Sequence, residues 1–329
     1  MKTIACELSS IVPCSSGYCK GEVIPCDQKT TSGNQLADVS AASETGGAAG
    51  LIAGRIPCDK LVVVPPPALP VSHLSGLDKL EVSCWVSWGM GSAFTTILEN
   101  LADARDALRL DETKRDVMEV PYDFGNGISF NLGRLGAGKY PFVLKSADIT
   151  ILLSHHSPDG RFPNCRLEVG SMSCWQPGWQ AVWAKFLSFL GVCNGSLFRH
   201  NVRRADLTVD LLGCDFAETG FIESSRWICR GSGKIKTVEE HYIPSYKSFG
   251  KGAMMMRLYD KTMSLKEDAV KASFFDSLWA AHLGSVPDHV TRTEFQMCRN
   301  VLRTLQVHTI QDLEENLDSL WMYCVGSGN

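Results

Sequence analysis

Two hydrophobic periodicities alternate along the chain. From Leu80 to Trp88 every second residue is largely apolar (Leu80, Val82, Cys84, Val86), the repeat of a strand buried on one side. From Phe94 to Leu110 the residues Ile97, Leu98, Leu101, Ala104 and Leu108 recur at helical spacing. Strands are predicted near 127–134 and 141–153, and over Cys165–Met172. Pro177 is predicted to open a helix at its permissive first turn, with Val182, Trp183, Phe186, Leu187 and Leu190 on the buried side. Further on, strands over Val202–Leu212, Ala253–Lys261 and His289–Cys298 are interleaved with helices over 215–225 and Ser264–Leu283. Thr309 is placed to cap a last helix whose stripe is Leu313, Leu317, Leu320 and Trp321. Several consecutive strands have no helix between them, which predicts an α+β fold with a largely antiparallel central sheet and flanking helices.

Residues 27–56 are rich in Ser, Thr, Gly and Ala, and Val62–Val64 runs into Pro65-Pro66-Pro67. Residues 1–78 therefore read as a flexible N-terminal arm and 79–329 as the folded domain. In the arm, Cys6, Cys14, Cys19 and Cys26 are widely and irregularly spaced, with no close pair of the kind zinc sites use. They read as unpaired thiols.

Composition narrows the class. The chain has 329 residues, 44% hydrophobic and 21% charged, which excludes disorder, collagen and coiled-coil arrays. A net charge of −4 excludes a uniformly basic coat and leaves room for a local basic face. The 13 cysteines are odd in number and scattered, unlike a secreted disulfide framework. Glu7 interrupts the place of a signal-peptide apolar run, and the longest apolar stretch, Leu61–Val71, carries four prolines. A reduced cytoplasmic protein with no membrane span is expected. The chain has no Walker-type loop, no Gly-rich dinucleotide turn, no His-Glu-x-x-His and no Gly-x-Ser-x-Gly, so most nucleotide-driven and hydrolase classes lose support.

Candidate chemistry lies in three strands. In Arg203–Leu211 one face shows Arg204, Asp206, Thr208 and Asp210, while Ala205, Leu207, Val209 and Leu211 take the other. In Val290–Met297 the residues Arg292, Glu294 and Gln296 share a face. In Met255–Lys261 the residues Arg257, Tyr259 and Lys261 do so. If the three strands pair, acids, a phenol, a Lys and three Arg converge. Such a mixture suits phosphodiester chemistry: carboxylates hold a hard divalent cation, a Tyr hydroxyl attacks phosphorus, and Arg and Lys neutralise phosphate oxygens. Alternation alone favours the plainer reading of the same residues, as surface salt bridges between neighbouring strands with a satisfied Tyr.

The order of these segments resembles a known family. Arg204-Ala205-Asp206-Leu207-Thr208-Val209-Asp210, then Tyr246-Lys247-Ser248-Phe249-Gly250, then Arg257-Leu258-Tyr259-Asp260-Lys261, then Arg292-Thr293-Glu294-Phe295 is similar to the motif order of the replication initiation factors of rolling-circle plasmids, filamentous phages and some integrative elements. Cys165–Gly170 resembles the family's strand before a tryptophan-bearing helix, and the likeness spans roughly residues 80–323. It implies an origin-specific nickase and strand transferase that keeps the 5′ phosphate on a tyrosine. It also implies Mg²⁺ or Mn²⁺ held by Asp206, Asp210 and Glu294. Lys261, Arg257 and Arg292 would stabilise the transition-state phosphate. The nucleophile is Tyr259 or Tyr246. The implied partners are origin DNA, host helicase or polymerase, and a second copy of the chain. A catalytically inactive origin-binding protein, or a nuclease using water, is the competing expectation.

Between Ser225 and Tyr259 there are seven basic residues and two acidic ones, with Gly231, Gly233, Gly250 and Gly252 among them. A mobile basic loop contacting DNA is expected here, through Arg230, Lys234, Lys236, Lys247 and Lys251 together with Arg204, Arg257 and Arg292. Glu99–Asp123 carries eight acids against four bases and is expected to face away. The adjacent His155 and His156 read as structural.

Overall fold

The computed structural model describes residues 61–63, 72–89, 92–111, 113, 116–154, 162–217, 227–229, 236–240 and 243–325, with backbone alone for 61–63, 92–93, 227–229, 236–240, 243–247 and 249–251. The strands are β1 (Leu61–Val63), β2 (His73–Trp88), β3 (Glu119–Asp123), β4 (Ser129–Gly133), β5 (Phe142–Ser146), β6 (Ile149–Leu153), β7 (Cys165–Val169), β8 (Gly195–Leu212), β9 (Trp227–Cys229), β10 (Lys236–Glu240), β11 (Ile243–Lys251), β12 (Met254–Asp260) and β13 (Val290–Cys298). The helices are α1 (Ser92–Leu110), α2 (Ser171–Ser173), α3 (Trp179–Val192), α4 (Lys261–Ser264), α5 (Ala269–Leu283), α6 (Arg299–Thr304) and α7 (Ile310–Val325).

Eleven strands form one antiparallel sheet in the order β10-β11-β12-β13-β8-β2-β7-β6-β5-β4-β3, and β1 pairs with β9 in a separate ribbon. The fold is thus α+β around a large antiparallel sheet, as the alternation predicts. Its spine is the pairing of β2 with β8, 16 and 18 residues long. Both extend well beyond the expected strands, and β2 begins inside the segment read as an arm.

One face of the sheet is the core. Ala205, Leu207 and Val209 of β8 are buried on it beside Leu80 and Val82 of β2, Leu167 and Val169 of β7, and Phe295 and Met297 of β13. α3 and α7 cover this face: Phe189 meets Phe130 of β4 at 5.4 Å, and Trp321 meets Phe295 edge-on at 5.5 Å. α7 starts where expected. Thr309 Oγ1 accepts from the Asp312 amide at 3.1 Å, while Asp312 accepts from the amides of Thr309 and His308 at 2.8 and 2.9 Å. This reciprocal cap satisfies amides that the first helical turn leaves free.

The opposite face is polar and is covered at one end by α5. Phe275 and Trp279 of α5 are buried against Leu212 of β8 and Val290 of β13. Near the same end Gly76 of β2 pairs with Thr208, and a Cβ on Gly76 would meet the Trp175 ring at 3.3 Å. A glycine there lets the indole approach the strand closely.

Several expectations are corrected. The 141–153 segment is a hairpin of β5 and β6 that turns at Ala147, whose φ is 48°. β3 was not anticipated. α3 begins at Trp179: Pro177 lies in the preceding π-type turn, Cys174–Gly178, which is non-helical at Gln176, and Gly178 with φ 101° separates that turn from α3. Leu187 is exposed and Trp183 is half-buried; the buried positions are Trp179, Val182, Phe186, Phe189 and Leu190. The helix expected over 264–283 starts only at Ala269, as α5, while α4 ends at Ser264; each is capped by an aspartate: Asp260 accepts from Met263 N and Asp268 from Lys271 N. The basic segment is not simply a loop. β10 and β11 pair with each other, and β11 pairs with β12. Main-chain pairing against a free sheet edge tolerates its glycines and charges. Cys6, Cys14, Cys19, Cys26, His155, His156 and residues 218–225 lie outside the described residues.

Candidate active site

The register decides which side chains meet. Directly opposed residues of an antiparallel pair lie on the same face. β13 sets Arg292 opposite Asp210, Glu294 opposite Thr208 and Gln296 opposite Asp206. β12 sets Tyr259 opposite Arg292 and Arg257 opposite Glu294. β11 sets Tyr246 opposite Tyr259 in the backbone pairing. The three chemical strands are therefore neighbours, and their polar residues share the face that α5 partly covers.

Asp210 and Arg292 are both 0% exposed. Arg292 grips the carboxylate edge-on, Nε to Oδ1 at 2.5 Å and Nη2 to Oδ2 at 2.7 Å, and Trp279 Nε1 donates to Oδ2 at 2.9 Å. The remaining arm of Arg292, Nη1, donates to Asp78. Burial works against the Arg292 charge, but Asp210 and Asp78 more than reverse this and hold it protonated. Phe275 lies 4.8 Å from the guanidinium carbon.

Asp78 was not anticipated from the sequence. β2 pairs Leu77 with Leu207 but Lys79 with Asp206, so Asp78 is the extra residue of a bulge. The bulge re-aims its carboxylate toward Arg292, out of the strand's alternation. Trp279 was missed as well; at sequence level it reads only as an apolar helix position.

Four residues up β8, Asp206 is held by Arg204 of the same strand, Nε to Oδ1 at 2.7 Å and Nη2 to Oδ2 at 2.5 Å. Burial raises its pKa against that pairing. Between the two ion pairs stands Glu294. Arg257 donates to its Oε1 through Nη1, and to Gln296 Oε1 through Nη2 at 2.8 Å. The Tyr259 hydroxyl donates to Glu294 Oε2 at 3.2 Å. Burial, then the nearby Asp78, raises the Glu294 pKa, with Arg257 opposing. Burial pushes the Tyr259 phenol well above its ordinary value.

Lys261 is not on the strand face with Tyr259, as alternation suggested. It is the first residue of α4, after the Asp260 cap. It nevertheless stays close: its Nζ is 6.0 Å from the Tyr259 ring centre and 4.6 Å from that of Phe275. Burial, then the Arg292 charge, lowers its pKa to about 8.

The expected metal set does not fit this arrangement. Asp206 and Asp210 are four strand positions apart, about 13 Å at ~3.3 Å per residue. Asp206, Asp210 and Glu294 each take their counter-charge from a different arginine. Among the described residues no three His, Cys, Asp or Glu side chains form a group able to hold a metal. Arg292 is likewise committed to carboxylates, whereas Arg204 and Arg257 are only partly buried. Arg230 and Lys234 lie outside the described residues; Lys236 is on β10 and Lys247 and Lys251 are on β11, described by backbone alone.

No family model matches the chain, and no curated protein matches it. A solved structure, the rolling circle replication initiator protein from Geobacillus stearothermophilus, is similar over 71% of this chain and 78% of its own, with 13% identity and a TM-score of 0.37. Among the described residues no helix is long and apolar enough to cross a membrane.

Proposed function

We propose that the chain is a DNA strand-cleaving and strand-transfer enzyme that initiates rolling-circle replication, with Tyr259 as its nucleophile. The observation that carries this reading is the hydrogen bond from the Tyr259 hydroxyl to the buried Glu294 carboxylate at 3.2 Å. A phenol whose pKa is raised is a weak nucleophile until a base takes its proton, and a carboxylate whose own pKa is raised is a better base than an exposed one.

In this reading Glu294 accepts the phenolic proton as the tyrosine oxygen bonds to phosphorus. The bond from phosphorus to the 3′ oxygen breaks, and the Lys261 ammonium gives that oxygen a proton. The products are a phosphotyrosine on the 5′ side and a free 3′ hydroxyl for a host polymerase. Arg257, part-exposed beside Glu294, faces the charge growing on the phosphoryl oxygens. Arg292 acts as a brace through Asp210 and Asp78. No step passes through a metal ion. Origin DNA and a second copy of the chain are the proposed partners, and Tyr246, set opposite Tyr259, is the alternative nucleophile.

A second reading has its own observation: every carboxylate of the network already has an arginine partner, which suits a protein that binds DNA and does not cut it. Incubation with a pool of 3′-end-labelled single-stranded oligonucleotides, with and without Mn²⁺, separates the readings on a denaturing gel. A labelled band migrating with the protein, lost in Tyr259→Phe, is expected. DNA retention with no covalent band in any condition would favour the binding protein, and a band that survives in Tyr259→Phe would move the role to Tyr246. Cleavage only with Mn²⁺ would show that the reaction needs the ion and would overturn the metal-free scheme.

A further inference from the structure

The polar face does not stop at the tyrosine. Arg204 of β8 is opposite Glu81 of β2, Glu81 is opposite Glu168 of β7, Glu168 is opposite Thr150 of β6, and Thr150 is opposite Lys145 of β5. A single face therefore runs from Tyr259 to Lys145. On its far half lies a cleft of about 660 Å³, within the usual range of ligand sites. Four cations, Lys139, Lys145, Arg166 and Arg203, line it against one carboxylate, Glu168, with Phe162 in the wall.

These side chains carry the marks of a site for a polyanion with flat bases. Arg166 Nε is buried and has no hydrogen-bond partner, a cost that an incoming phosphate oxygen would remove. The Arg166 guanidinium carbon lies 5.2 Å from the Tyr140 ring centre, and Lys139 Nζ lies 3.5 Å from that of Phe162. Phe162 keeps 41% of its surface exposed. Lys145 pairs with Glu119 at 2.6 Å and Arg203 with Glu81 at 3.3 Å, acids outside the cleft wall. The Lys145–Glu119 pair is part-exposed and weak enough for a phosphate to compete, and Arg203, half-exposed itself, shares the buried Glu81 with Lys79 and Arg204. Aromatic surface interleaved with cations is the chemistry that holds single strands by stacking and phosphate neutralisation.

We propose that this cleft is a single-stranded DNA subsite. It rests on the reading of Tyr259 as the cleavage site: five strand steps separate β12 from β6, roughly 24 Å at ~4.8 Å per step. The cleft would grip the strand several nucleotides from the cut, so that tension and register at the scissile phosphate are set from a distance.

The test is a fluorescence-anisotropy titration with fluorescein-labelled oligothymidylate, using the full chain in a Tyr259→Phe background so that chemistry plays no part. Lys139→Gln and Phe162→Ala change exposed side chains, and Arg166→Gln addresses the buried nitrogen. Each is expected to weaken binding about tenfold. Lys139→Gln is also expected to flatten the dependence of log affinity on log salt by about 0.7. Unchanged affinity and salt slope in Lys139→Gln and Phe162→Ala would overturn the proposal, as would an equal loss for duplex DNA. A covalent band absent from the wild-type chain, or one that survives in Tyr259→Phe, with these binding responses intact, would sink only the assignment of Tyr259.

Discussion

Arg292 and Asp210 form a doubly hydrogen-bonded ion pair with no solvent contact, 2.5 and 2.7 Å across, on adjacent central strands. The pair is costly to assemble and costlier to break, because a lone buried charge keeps its desolvation penalty and loses its partner. Asp210→Ala would also strand the Trp279 indole N–H. It is expected to destabilise the fold by about 3–5 kcal/mol in urea unfolding. The double variant Asp210→Leu with Arg292→Met should recover much of that loss. A cycle without such coupling would mean that the pair opens in solution.

The Tyr259–Glu294 contact predicts a separation of chemistry from stability. Tyr259→Phe removes one hydroxyl and its hydrogen bond to Glu294, so unfolding free energy should fall by about 1 kcal/mol. Covalent attachment should disappear while DNA affinity holds. Glu294→Gln keeps the shape but cannot take the proton, and should slow cleavage by about 10²–10⁴-fold. A Glu294→Gln protein cutting at the wild-type rate would remove the carboxylate from the mechanism.

Some of this site was legible in the sequence. The alternation in Arg204–Asp210, Arg257–Tyr259 and Arg292–Gln296 put the right side chains on the right faces, because a strand's period of two survives any pairing. The register across strands could not be read, and it is the register that sets Arg292 on Asp210 and Arg257 on Glu294. Asp78 was hidden because a bulge breaks the alternation that exposes other members. Lys261 was assigned to a strand because the Asp260 cap, which ends β12, reads equally as one more strand position. The start of β2 at His73 was hidden by Ser75 and Gly76, which carry no apolar repeat. Gly76 is there for the approach of Trp175, a contact between elements far apart in the chain.

The cap of α7 offers a local test. Asp312 accepts two backbone amides, and although burial opposes it, these hydrogen bonds from Thr309 and His308 hold its pKa below the ordinary value. Asp312→Ala is expected to cost about 1 kcal/mol. With its folded pKa depressed, the contribution is full above the unfolded carboxylate pKa, ~3.9, and fades as pH falls through the lower folded value. The difference between wild type and Asp312→Ala in urea unfolding should therefore shrink in acid and stay level near neutrality.

Lys261 titrates in the opposite sense. Its folded pKa of about 8 lies below the ordinary lysine value because burial, then Arg292, disfavours the ammonium. Between about pH 8 and ~10.4 the unfolded chain holds the proton more tightly than the folded one, so stability attributable to this residue rises with pH across that window. At about 1.36 kcal/mol per unit the ceiling is about 3 kcal/mol. Relative to Lys261→Met, the wild-type protein should gain stability from pH 8 upward. The cleavage rate should meanwhile fall, since the ammonium that protonates the leaving oxygen is being lost. A rate that holds to pH 10 would show that the 3′ oxygen takes its proton from elsewhere. A flat stability difference would show that Asp78, Asp210 and Glu294 keep Lys261 charged in the folded protein.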